Sequence, residues 1–307
     1  MAIPKAKYIW FNGKTIKFED AKIHILSHSV QYGTGVFEGM RCYKTIDNKR
    51  NLFRAREHFK RFHDSAKTYY MQIPYSIEEL IAATKEVVEA NNFEECFIRP
   101  YAGFGFGNLG LNPRKNPIEV VIAVFHWGKY LGEDALDKGI KACTSSWRRI
   151  SHNILPTTAK ASGHYLNSML AKNEAIDKGF DEAILLNLDG YVSEGSGENI
   201  FMVKNNKIIT PPISSDCLPG ITRDAVIQIA KKYGYSIVEE NITRDMLYIA
   251  DELFFTGNAA EITPIIQVDH ITIADGKPGM ITKYLQEKFF KIISREIKDF
   301  EEWMTIF

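Results

Sequence analysis

Lys160 stands in a segment of this sequence that suits covalent chemistry. The segment is Pro156-Thr-Thr-Ala-Lys-Ala-Ser-Gly163, and Tyr165 follows it where a helical pattern begins. Most lysines are solvated surface charges. A lysine among such small neighbours can approach a bound ring closely, and desolvation would lower its pKa toward use as a nucleophile. Both interpretations stay open on this pattern alone.

A glycine turn carries two carboxylates between strand-like segments. It reads Ser193-Glu-Gly-Ser-Gly-Glu-Asn199, so Glu194 and Glu198 flank the turn. Acids in turns are usually solvated. A buried carboxylate beside a heterocycle would instead hold a pyridine nitrogen protonated, which a pyridoxal cofactor requires.

Two other turns are candidate anion sites. In Leu218-Pro-Gly-Ile-Thr222 a Pro-Gly turn directly precedes a helical pattern, so backbone N–H groups and the helix dipole converge on one spot. The alternative is an ordinary turn with Thr222 as the N-cap. The turn Thr256-Gly-Asn-Ala-Ala-Glu261 can bind a carboxylate or phosphate through its N–H groups, or be a plain turn.

Two apparent motifs do not predict ligand sites. Gly105-Phe-Gly-Asn-Leu-Gly110 matches a dinucleotide fingerprint, but prolines and a strand follow it instead of a helix. We interpret it as a loop that places apolar side chains over a cleft. His24 and His28 have the spacing of metal ligands, but no third ligand is evident, so no metal site is predicted.

Both helices and strands are predicted to position these segments. Apolar residues three and four apart predict helices over 54–69, 77–91 and 222–233, and a further helix is predicted over 165–178, where Gly179 closes it. Strand patterns bounded by turn residues cover 8–11, 15–18, 35–43, 97–101, 118–127, 183–188, 191–193, 200–203, 208–210 and 252–256. They predict an α+β protein with a small N-terminal α/β domain over 1–128, a connection over 129–138, and a larger domain with a bent sheet over 139–307.

The composition limits the class of function. Among 307 residues, 38 Lys and Arg balance 38 Asp and Glu, so no net field attracts nucleic acid or an anionic bilayer. The longest apolar run, Val120 to Phe125, is six residues, whereas a membrane span needs about 20. The start lacks the apolar region of a signal peptide, and the four cysteines form no close pair. We therefore expect a cytoplasmic protein with reduced thiols that acts on small molecules.

Six segments in a fixed order carry a family resemblance. They are Phe37-Glu-Gly-Met-Arg-Cys-Tyr43, Arg61, Thr158-Ala-Lys160, Ser193-Glu-Gly-Ser-Gly-Glu-Asn199, Leu218-Pro-Gly-Ile-Thr222 and Thr256-Gly-Asn-Ala-Ala-Glu261. In this order they resemble the branched-chain amino acid aminotransferases, which are fold-type IV pyridoxal phosphate enzymes. The resemblance covers almost the whole chain. It implies a two-domain fold with a barrel-like sheet in the larger domain, and transfer of the amino group of Leu, Ile or Val to 2-oxoglutarate.

The resemblance also implies the cofactor and its ligands. The cofactor would be pyridoxal 5′-phosphate, with which Lys160 forms an aldimine before it moves a proton between the substrate Cα and the cofactor. Glu194 would pair with the pyridine nitrogen, and Tyr165 would hydrogen-bond the phenolic oxygen. The residues implied for the phosphate and ring are Arg61, Leu218, Gly220, Ile221, Thr222, Gly257 and Asn258.

The implied substrate pocket has mainly apolar walls. Its residues would be Phe37, Gly39, Trp127, Tyr130, Asn258 and Ala259, with Tyr32 and Leu111 from the neighbouring subunit. Arg99 would bind the γ-carboxylate of glutamate. Amino acids and 2-oxo acids are thus the implied partners, and a homodimer, or a higher homo-oligomer built from dimers, is the implied assembly.

One residue departs from the family pattern, and other functions stay open. Branched-chain members commonly carry a tyrosine two residues before the arginine of I-R-P, where this chain has Phe97. Either the Asn258–Ala259 turn, through backbone N–H groups, or the hydroxyl of Tyr101 would then bind the substrate α-carboxylate, and activity on aromatic amino acids stays open. A D-amino acid aminotransferase and an aminodeoxychorismate lyase share the fold, but Phe37-Glu-Gly39 favours the branched-chain interpretation. From another class, a non-catalytic anion-binding protein would use the helix start at Gly220 and keep Lys160 on its surface.

Overall fold

The protein alternates strands with helices along the chain. The structure is a computed structural model and describes residues 6–128, 131–132 and 134–307. The strands are β1 Tyr8–Phe11, β2 Lys14–Lys17, β3 Gly35–Phe37, β4 Met40–Lys44, β5 Arg50–Phe53, β6 Cys96–Phe104, β7 Ile118–Phe125, β8 Ile140–Arg148, β9 Glu182–Leu186, β10 Val192–Gly195, β11 Asn199–Lys204, β12 Lys207–Thr210, β13 Ser236–Glu239, β14 Glu252–Gly257, β15 Glu261–Val268, β16 Ile271–Thr272 and β17 Met304–Ile306. The helices are α1 His28–Tyr32, α2 Ala55–Thr68, α3 Ile77–Ala90, α4 Ala135–Lys138, α5 Tyr165–Asp177, α6 Ile221–Lys232, α7 Arg244–Tyr248 and α8 Met280–Ile293.

Contacts divide the chain into two compact units. The first comprises Met1–Trp127, Ala159–Gly163 and Ile292–Phe307, and the second comprises Gly128–Thr158 and His164–Lys291. The segment that carries Lys160 therefore belongs to the unit formed mainly by N-terminal residues. The predicted domain boundaries, 1–128 and 139–307, divide the sequence only once and stay a prediction.

The first unit is built on an antiparallel sheet of order β17-β5-β4-β6-β7-β1-β2, with β3 also paired to β6. The predicted helices α2 and α3 bury their apolar stripes in its core, Phe59 and Phe62 from α2 and Leu80 and Val87 from α3. Strands contribute apolar residues to the same core, Ile98 among them. This packing fixes α2, whose polar side chains reach the candidate site.

The segment 35–43, predicted as one strand, forms two. Both β3 and β4 pair with β6, but the ladder breaks at Glu38 and Gly39. Glu38 is fully buried, and a buried carboxylate needs partners. It finds them on α2, where His58 and Arg61 bind it. The single-strand prediction is therefore wrong at the two residues nearest this carboxylate.

The second unit is built on a mixed sheet of order β10-β9-β8-β15-β14-β11-β12-β13, with β16 beside β15. Strand β8 runs parallel to both β9 and β15. Register shifts interrupt β8, β10 and β15. Such irregularities bend strands, and the predicted bent sheet is confirmed as a curled half-barrel.

The turns and helices of this unit also follow the sequence. Gly190 takes a positive φ of 86° in the turn between β9 and β10. Helix α5 packs on β8 and β9, and α6 packs on β14. Among the described residues, no helix is long and apolar enough to cross a membrane.

Candidate active site

Lys160 lies in a short segment held between β3 and α2. Its backbone N–H donates to Oγ of Ser65 at 3.0 Å, and its carbonyl accepts from the N–H of Phe37 at 3.0 Å. Its neighbours Ala159 and Ala161 are buried. Nζ lies 4.9 Å from the centre of the Phe37 ring. The backbone of this lysine is thus fixed on both sides, which gives its amine a defined starting point.

Three aromatic rings surround the guanidinium of Arg99 in the same unit. Its Cζ lies 4.9 Å from the ring centre of Phe37, 5.2 Å from that of Phe97 and 5.7 Å from that of Trp127. Phe97 and Trp127 meet edge to face with their centres 4.6 Å apart. A cation beside aromatic rings is stabilised by their quadrupoles. The arrangement presents apolar walls and one positive charge together.

Phe97 explains why residue 39 is glycine. A Cβ placed on Gly39 would lie 2.7 Å from Cζ of Phe97, closer than a real side chain atom approaches. Phe97 is only 2% exposed, so its ring has no room to withdraw. The residue that stands in place of the expected tyrosine therefore packs directly over the backbone of Gly39.

Arg61, predicted to bind phosphate, forms a two-pronged ion pair with Glu38. Arg61 Nε donates to Glu38 Oε1 at 2.6 Å and Nη2 donates to Oε2 at 2.8 Å. Nδ1 of the fully buried His58 also donates to Oε2, at 2.7 Å, because a carboxylate can only accept. Burial alone would raise the pKa of Glu38, but Arg61 and His58 outweigh it and hold that pKa well below its usual range. Burial lowers the pKa of His58, so this ring is neutral at pH 7.

Glu194 is buried in the second unit and is oriented by three donors. Its Oε1 accepts from Nε of Arg149 at 2.8 Å, and its Oε2 accepts from Nδ2 of Asn199 at 3.2 Å and from the N–H of Leu218 at 3.0 Å. The strand irregularity between Val192 and Glu194 lies directly before it. Such bulges re-aim side chains near functional sites. The direction of this carboxylate is therefore set by its neighbours in the fold.

The predicted phosphate residues of this unit lie on neighbouring turns. Gly220 is the N-cap of α6, and a Cβ there would lie 1.9 Å from Oδ1 of Asn199, so a larger residue would force Asn199 or the helix start to shift. Asn199 pairs across the ladder with Thr256, whose chain continues into Gly257 and Asn258. Thr222 Oγ1 donates to Oδ1 of Asn258 at 3.3 Å. The start of α6 and the turn after β14 are thus joined.

The second acid of the glycine turn, Glu198, is also a buried carboxyl. Its Oε2 accepts from the N–H of Gly197 at 3.1 Å. Burial and the nearby Glu182 raise the pKa of Glu198 to about 8. Glu182 itself is paired with Lys172 at 2.7 Å. Glu198 is consequently an uncharged acid at neutral pH.

Tyr32 and Leu111 lie on an exposed apolar face of the first unit. Tyr32 ends α1 and is 51% exposed, while Leu111, in the loop between β6 and β7, is 86% exposed. His28 joins the two segments, because Nε2 contacts the Gly110 carbonyl at 3.1 Å and its ring lies 4.7 Å from that of Tyr32. Other exposed apolar residues nearby in sequence are Ile25, Leu26, Val30, Phe106 and Leu109.

The structure thus groups the sequence-predicted residues within each unit. In the first unit it brings together Phe37, Gly39, Arg61, Arg99, Trp127 and Lys160. In the second it brings together Glu194, Leu218, Gly220, Ile221, Thr222, Gly257 and Asn258. Tyr165 begins α5, and Ala259 follows Asn258 in the turn. Tyr130 lies outside the described residues.

Sequence reasoning missed the residues that hold these groups in place. Glu38 and Asn199 stand inside quoted motifs, so their position next to Phe37 and beside Glu198 was the available signal. His58 falls on the buried face of α2. Arg149 follows β8 with no recognisable pattern, and only its pairing with Glu194 in three dimensions reveals it.

Comparison with known proteins identifies the family. The model of amino-transferase class IV matches residues 35–268. The chain belongs to the class IV aminotransferases. It is 47% identical over 305 residues to the branched-chain-amino-acid aminotransferase of Escherichia coli (strain K12), covering 99% of this chain and 98% of that protein.

Solved structures agree with this family. The crystal structure of the Escherichia coli branched-chain amino acid aminotransferase matches with a TM-score of 0.96 and 47% identity, covering 98% of this chain and 99% of that one. The T.th. branched-chain amino acid aminotransferase complexed with N-(5′-phosphopyridoxyl)-L-glutamate matches with a TM-score of 0.93 and 46% identity, covering 98% of each chain. The predicted family and fold-type IV architecture are confirmed. This aminotransferase acts on amino acids and 2-oxo acids with pyridoxal 5′-phosphate, as predicted.

The residues of the second unit fit such a cofactor. Glu194 is a buried carboxylate already oriented by three donors, and α6 begins with the N–H groups of Ile221 and Thr222 behind a glycine cap. Two hydroxyl oxygens beside these groups, Oγ of Ser193 and Oγ1 of Thr256, are buried and have no hydrogen-bond partner among the described residues. Buried polar atoms without partners are rare, and here they flank the residues predicted to bind the ring and phosphate.

Proposed function

We propose that this aminotransferase moves the amino group of leucine, isoleucine or valine to 2-oxoglutarate, giving branched-chain 2-oxo acids and glutamate. The observation that carries the proposal is Arg99 among the rings of Phe37, Phe97 and Trp127. Aromatic walls suit a branched apolar side chain, and the guanidinium suits the second carboxylate of glutamate. The names of the relatives and the glutamate adduct of the T.th. enzyme support the same substrates.

Lys160 is the proposed catalytic residue. Pyridoxal phosphate, when bound, supplies an aldehyde for exchange of amines and an electron sink for the substrate carbon. Lys160 Nζ would hold the cofactor at that aldehyde and would be the base that takes the proton from the substrate Cα. The hydrogen bonds of its backbone to Ser65 and Phe37 fix the position from which the amine reaches the cofactor and the substrate.

Glu194 is the proposed partner of the ring nitrogen. An ionised carboxylate beside that nitrogen keeps the nitrogen protonated, which strengthens the electron sink. Arg149 and Asn199 orient Glu194 next to the backbone of Leu218, a residue proposed to pack against the ring. Tyr165 is proposed to hydrogen-bond the phenolic oxygen of the cofactor.

Two kinds of donor are proposed to bind the phosphate, a positively charged side chain and the N–H groups at a helix start. Arg61 supplies a guanidinium, which pairs with phosphate through a planar fork of donors. The start of α6 supplies N–H groups aligned with the helix dipole. The proposed set is Arg61, Gly220, Ile221, Thr222, Gly257 and Asn258.

The same proposal assigns the substrate pocket. The residues assigned to the apolar side chain are Phe37, Gly39 and Trp127, with Tyr130 outside the described residues, and Arg99 is assigned to the γ-carboxylate of glutamate. Backbone N–H groups of Asn258 and Ala259 bind the α-carboxylate, which compensates for the absent hydroxyl at Phe97. This division lets one pocket accept a hydrocarbon or a charged side chain without burying a charge unpaired.

We also propose a homodimer in the cytoplasm. Contiguous exposed apolar surface on a protein usually marks an interaction site. The surface formed by α1 and the loop after β6 exposes Tyr32 and Leu111, and a second copy would cover it while gaining both residues for its pocket. Cys42, Cys96, Cys143 and Cys217 are free and buried, as expected of thiols in a reducing compartment.

A panel of amino donors tests the function. The purified enzyme, loaded with pyridoxal phosphate, is supplied with 2-oxoglutarate and each donor in turn, and glutamate is measured. We expect leucine, isoleucine and valine to be the best donors. Preference for D-amino acids would favour a D-amino acid aminotransferase, and release of an aromatic amine with pyruvate from aminodeoxychorismate would favour a lyase. Either result contradicts the proposal.

A further inference from the structure

Glu38 is a buried carboxylate of the first unit that has no role in the proposed function. It stands between Phe37 and Gly39, both placed in the proposed substrate pocket, yet its own side chain is fully buried and turned toward α2. Its two oxygens accept from Nε and Nη2 of Arg61 and from Nδ1 of His58. A buried charge of this kind is retained only where its partners are well placed.

The helix that supplies these partners also holds Lys160. His58, Arg61 and Ser65 are spaced three and four residues apart, so they share one face of α2. Ser65 Oγ accepts from the backbone N–H of Lys160 at 3.0 Å. One helix face therefore carries the proposed phosphate ligand and a support of the proposed catalytic lysine.

The geometry of the fork restricts Arg61. Two parallel N–H···O bonds, 2.6 and 2.8 Å long, fix the plane of its guanidinium, which a single bond would leave able to turn. His58 Nδ1 adds a third hydrogen bond to this carboxylate, at 2.7 Å from Oε2, the oxygen that also accepts from Nη2.

We propose that Glu38 is a positioning residue for cofactor phosphate, which acts by fixing the plane and direction of the Arg61 guanidinium. The inference rests on the proposed phosphate role of Arg61. Glu38 has two opposite effects on phosphate binding. Fixing Arg61 strengthens phosphate binding, whereas the negative charge of Glu38 opposes it.

The test compares two ligands that differ only in the phosphate. Pyridoxal 5′-phosphate and pyridoxal present the same aldehyde to Lys160, and their binding to the full-length protein is followed by visible absorbance. In Glu38→Gln, one oxygen remains for Arg61, but the amide N–H₂ cannot accept the second bond. We expect the dissociation constant of pyridoxal phosphate to rise at least about tenfold, the effect of one charge-assisted hydrogen bond, while that of pyridoxal changes little.

Two further variants complete the experiment. Glu38→Asp keeps the charge but withdraws the carboxylate by one methylene, so the same selective loss is expected, and it serves if Glu38→Gln does not fold. Glu57→Gln is the matched control, because Glu57 also binds an arginine at the start of α2, Arg54 at 2.8 Å, outside the proposed site. It should bind both ligands as the wild type does.

The outcomes separate this inference from the proposed function. Equal losses for both ligands, unchanged binding of both, or tighter binding of pyridoxal phosphate by Glu38→Gln would overturn the positioning role alone. The last result would mean that the charge of Glu38, not its geometry, dominates. Failure of the wild-type protein to bind pyridoxal phosphate would overturn the proposed function and the positioning role together.

Discussion

At the scale of single residues, Glu194 is the side chain whose charge matters most to the proposed chemistry. Its carboxylate accepts from Arg149, Asn199 and Leu218, so its position is fixed before any ligand binds. Orientation of this kind avoids reorganisation during the reaction. The ion pair with Arg149 is also almost fully buried, with side chains 7% and 8% exposed, so its loss affects stability as well.

Glu194→Gln tests this role. The amide keeps the shape but removes the charge that holds the ring nitrogen protonated, so we expect transamination to slow at least about tenfold while cofactor affinity falls much less. Stopped-flow absorbance with leucine measures the half-reaction, and equilibrium titration measures affinity. An unchanged rate would show that the charge of Glu194 does not hold the ring nitrogen protonated.

Arg99 should discriminate between the two kinds of substrate. A charge-assisted hydrogen bond contributes about 1.5 to 3 kcal/mol, so Arg99→Leu should weaken the glutamate and 2-oxoglutarate half-reactions by roughly tenfold to a hundredfold or more. Leucine should lose far less, because its side chain contacts only apolar walls. Equal losses with both amino acids in single-turnover experiments would show that Arg99 binds the α-carboxylate instead.

Residues of the site differ in how far the sequence predicts them. Lys160 and Glu194 are predictable because short motifs of small residues surround them. Arg149 is not, because its partner Glu194 stands 45 positions later and only the folded sheet brings them together. The contact of Glu38 with α2 could not be predicted, because a strand pattern runs through this residue and does not show that its side chain faces the helix.

At the scale of elements, the start of α6 depends on one glycine. Gly220 packs so closely on Asn199 that an added Cβ would lie 1.9 Å from Oδ1. Asn199 in turn donates to Glu194 and to the Leu218 carbonyl at 2.8 Å. The cap of α6 and the orientation of Glu194 are therefore linked through a single amide.

Gly220→Ala should disturb both the start of α6 and the orientation of Glu194. Relieving the overlap must shift Asn199 or the helix start, at a cost of about 1 to 3 kcal/mol in the free energy of unfolding. We expect weaker pyridoxal phosphate binding and a lower melting temperature, measured by titration and calorimetry. Gly197→Ala is the control, because a Cβ there meets nothing within 4 Å. If both variants behave alike, the contact with Asn199 has no such role.

Helices were easier to predict from the sequence than the connections of the sheets. The segments 77–91 and 165–178 predict α3 and α5 to within one residue at each end, because α3 buries one apolar face and Gly179 follows the end of α5. Strand β17 carries no strong pattern of its own and depends on pairing with β5, a partner some 250 residues away. The irregularity before Glu194 is likewise a property of pairing with β9, which local sequence does not record.

At the scale of the whole molecule, Glu198 makes stability depend on pH. Its pKa is about 8 when folded, against an ordinary value of 4.5. Between these values the folded protein retains a proton that the unfolded chain releases, so rising pH favours the unfolded state. The contribution is fully present below about pH 4.5, falls by about 1.4 kcal/mol for each pH unit, and is lost above about pH 8.

Glu198→Gln should remove this dependence. The amide does not titrate, so the difference in unfolding free energy between the variant and the wild type should grow in favour of the variant as pH rises from about 5 to about 8. Urea denaturation at several pH values measures it. A difference that does not change with pH would show that Glu198 is already ionised in the folded protein.

The central claim, that this molecule is an aminotransferase that uses Lys160 to take the amino group from leucine, is tested most directly by one half-reaction. Pyridoxal phosphate-loaded protein is mixed with L-leucine in the absence of 2-oxoglutarate, and the branched-chain 2-oxo acid is quantified for the wild type and for Lys160→Ala. We predict about one 2-oxo acid for each bound cofactor in the wild type and none at comparable times in the variant. Equal 2-oxo acid formation by Lys160→Ala, or none by the wild type, would contradict the account.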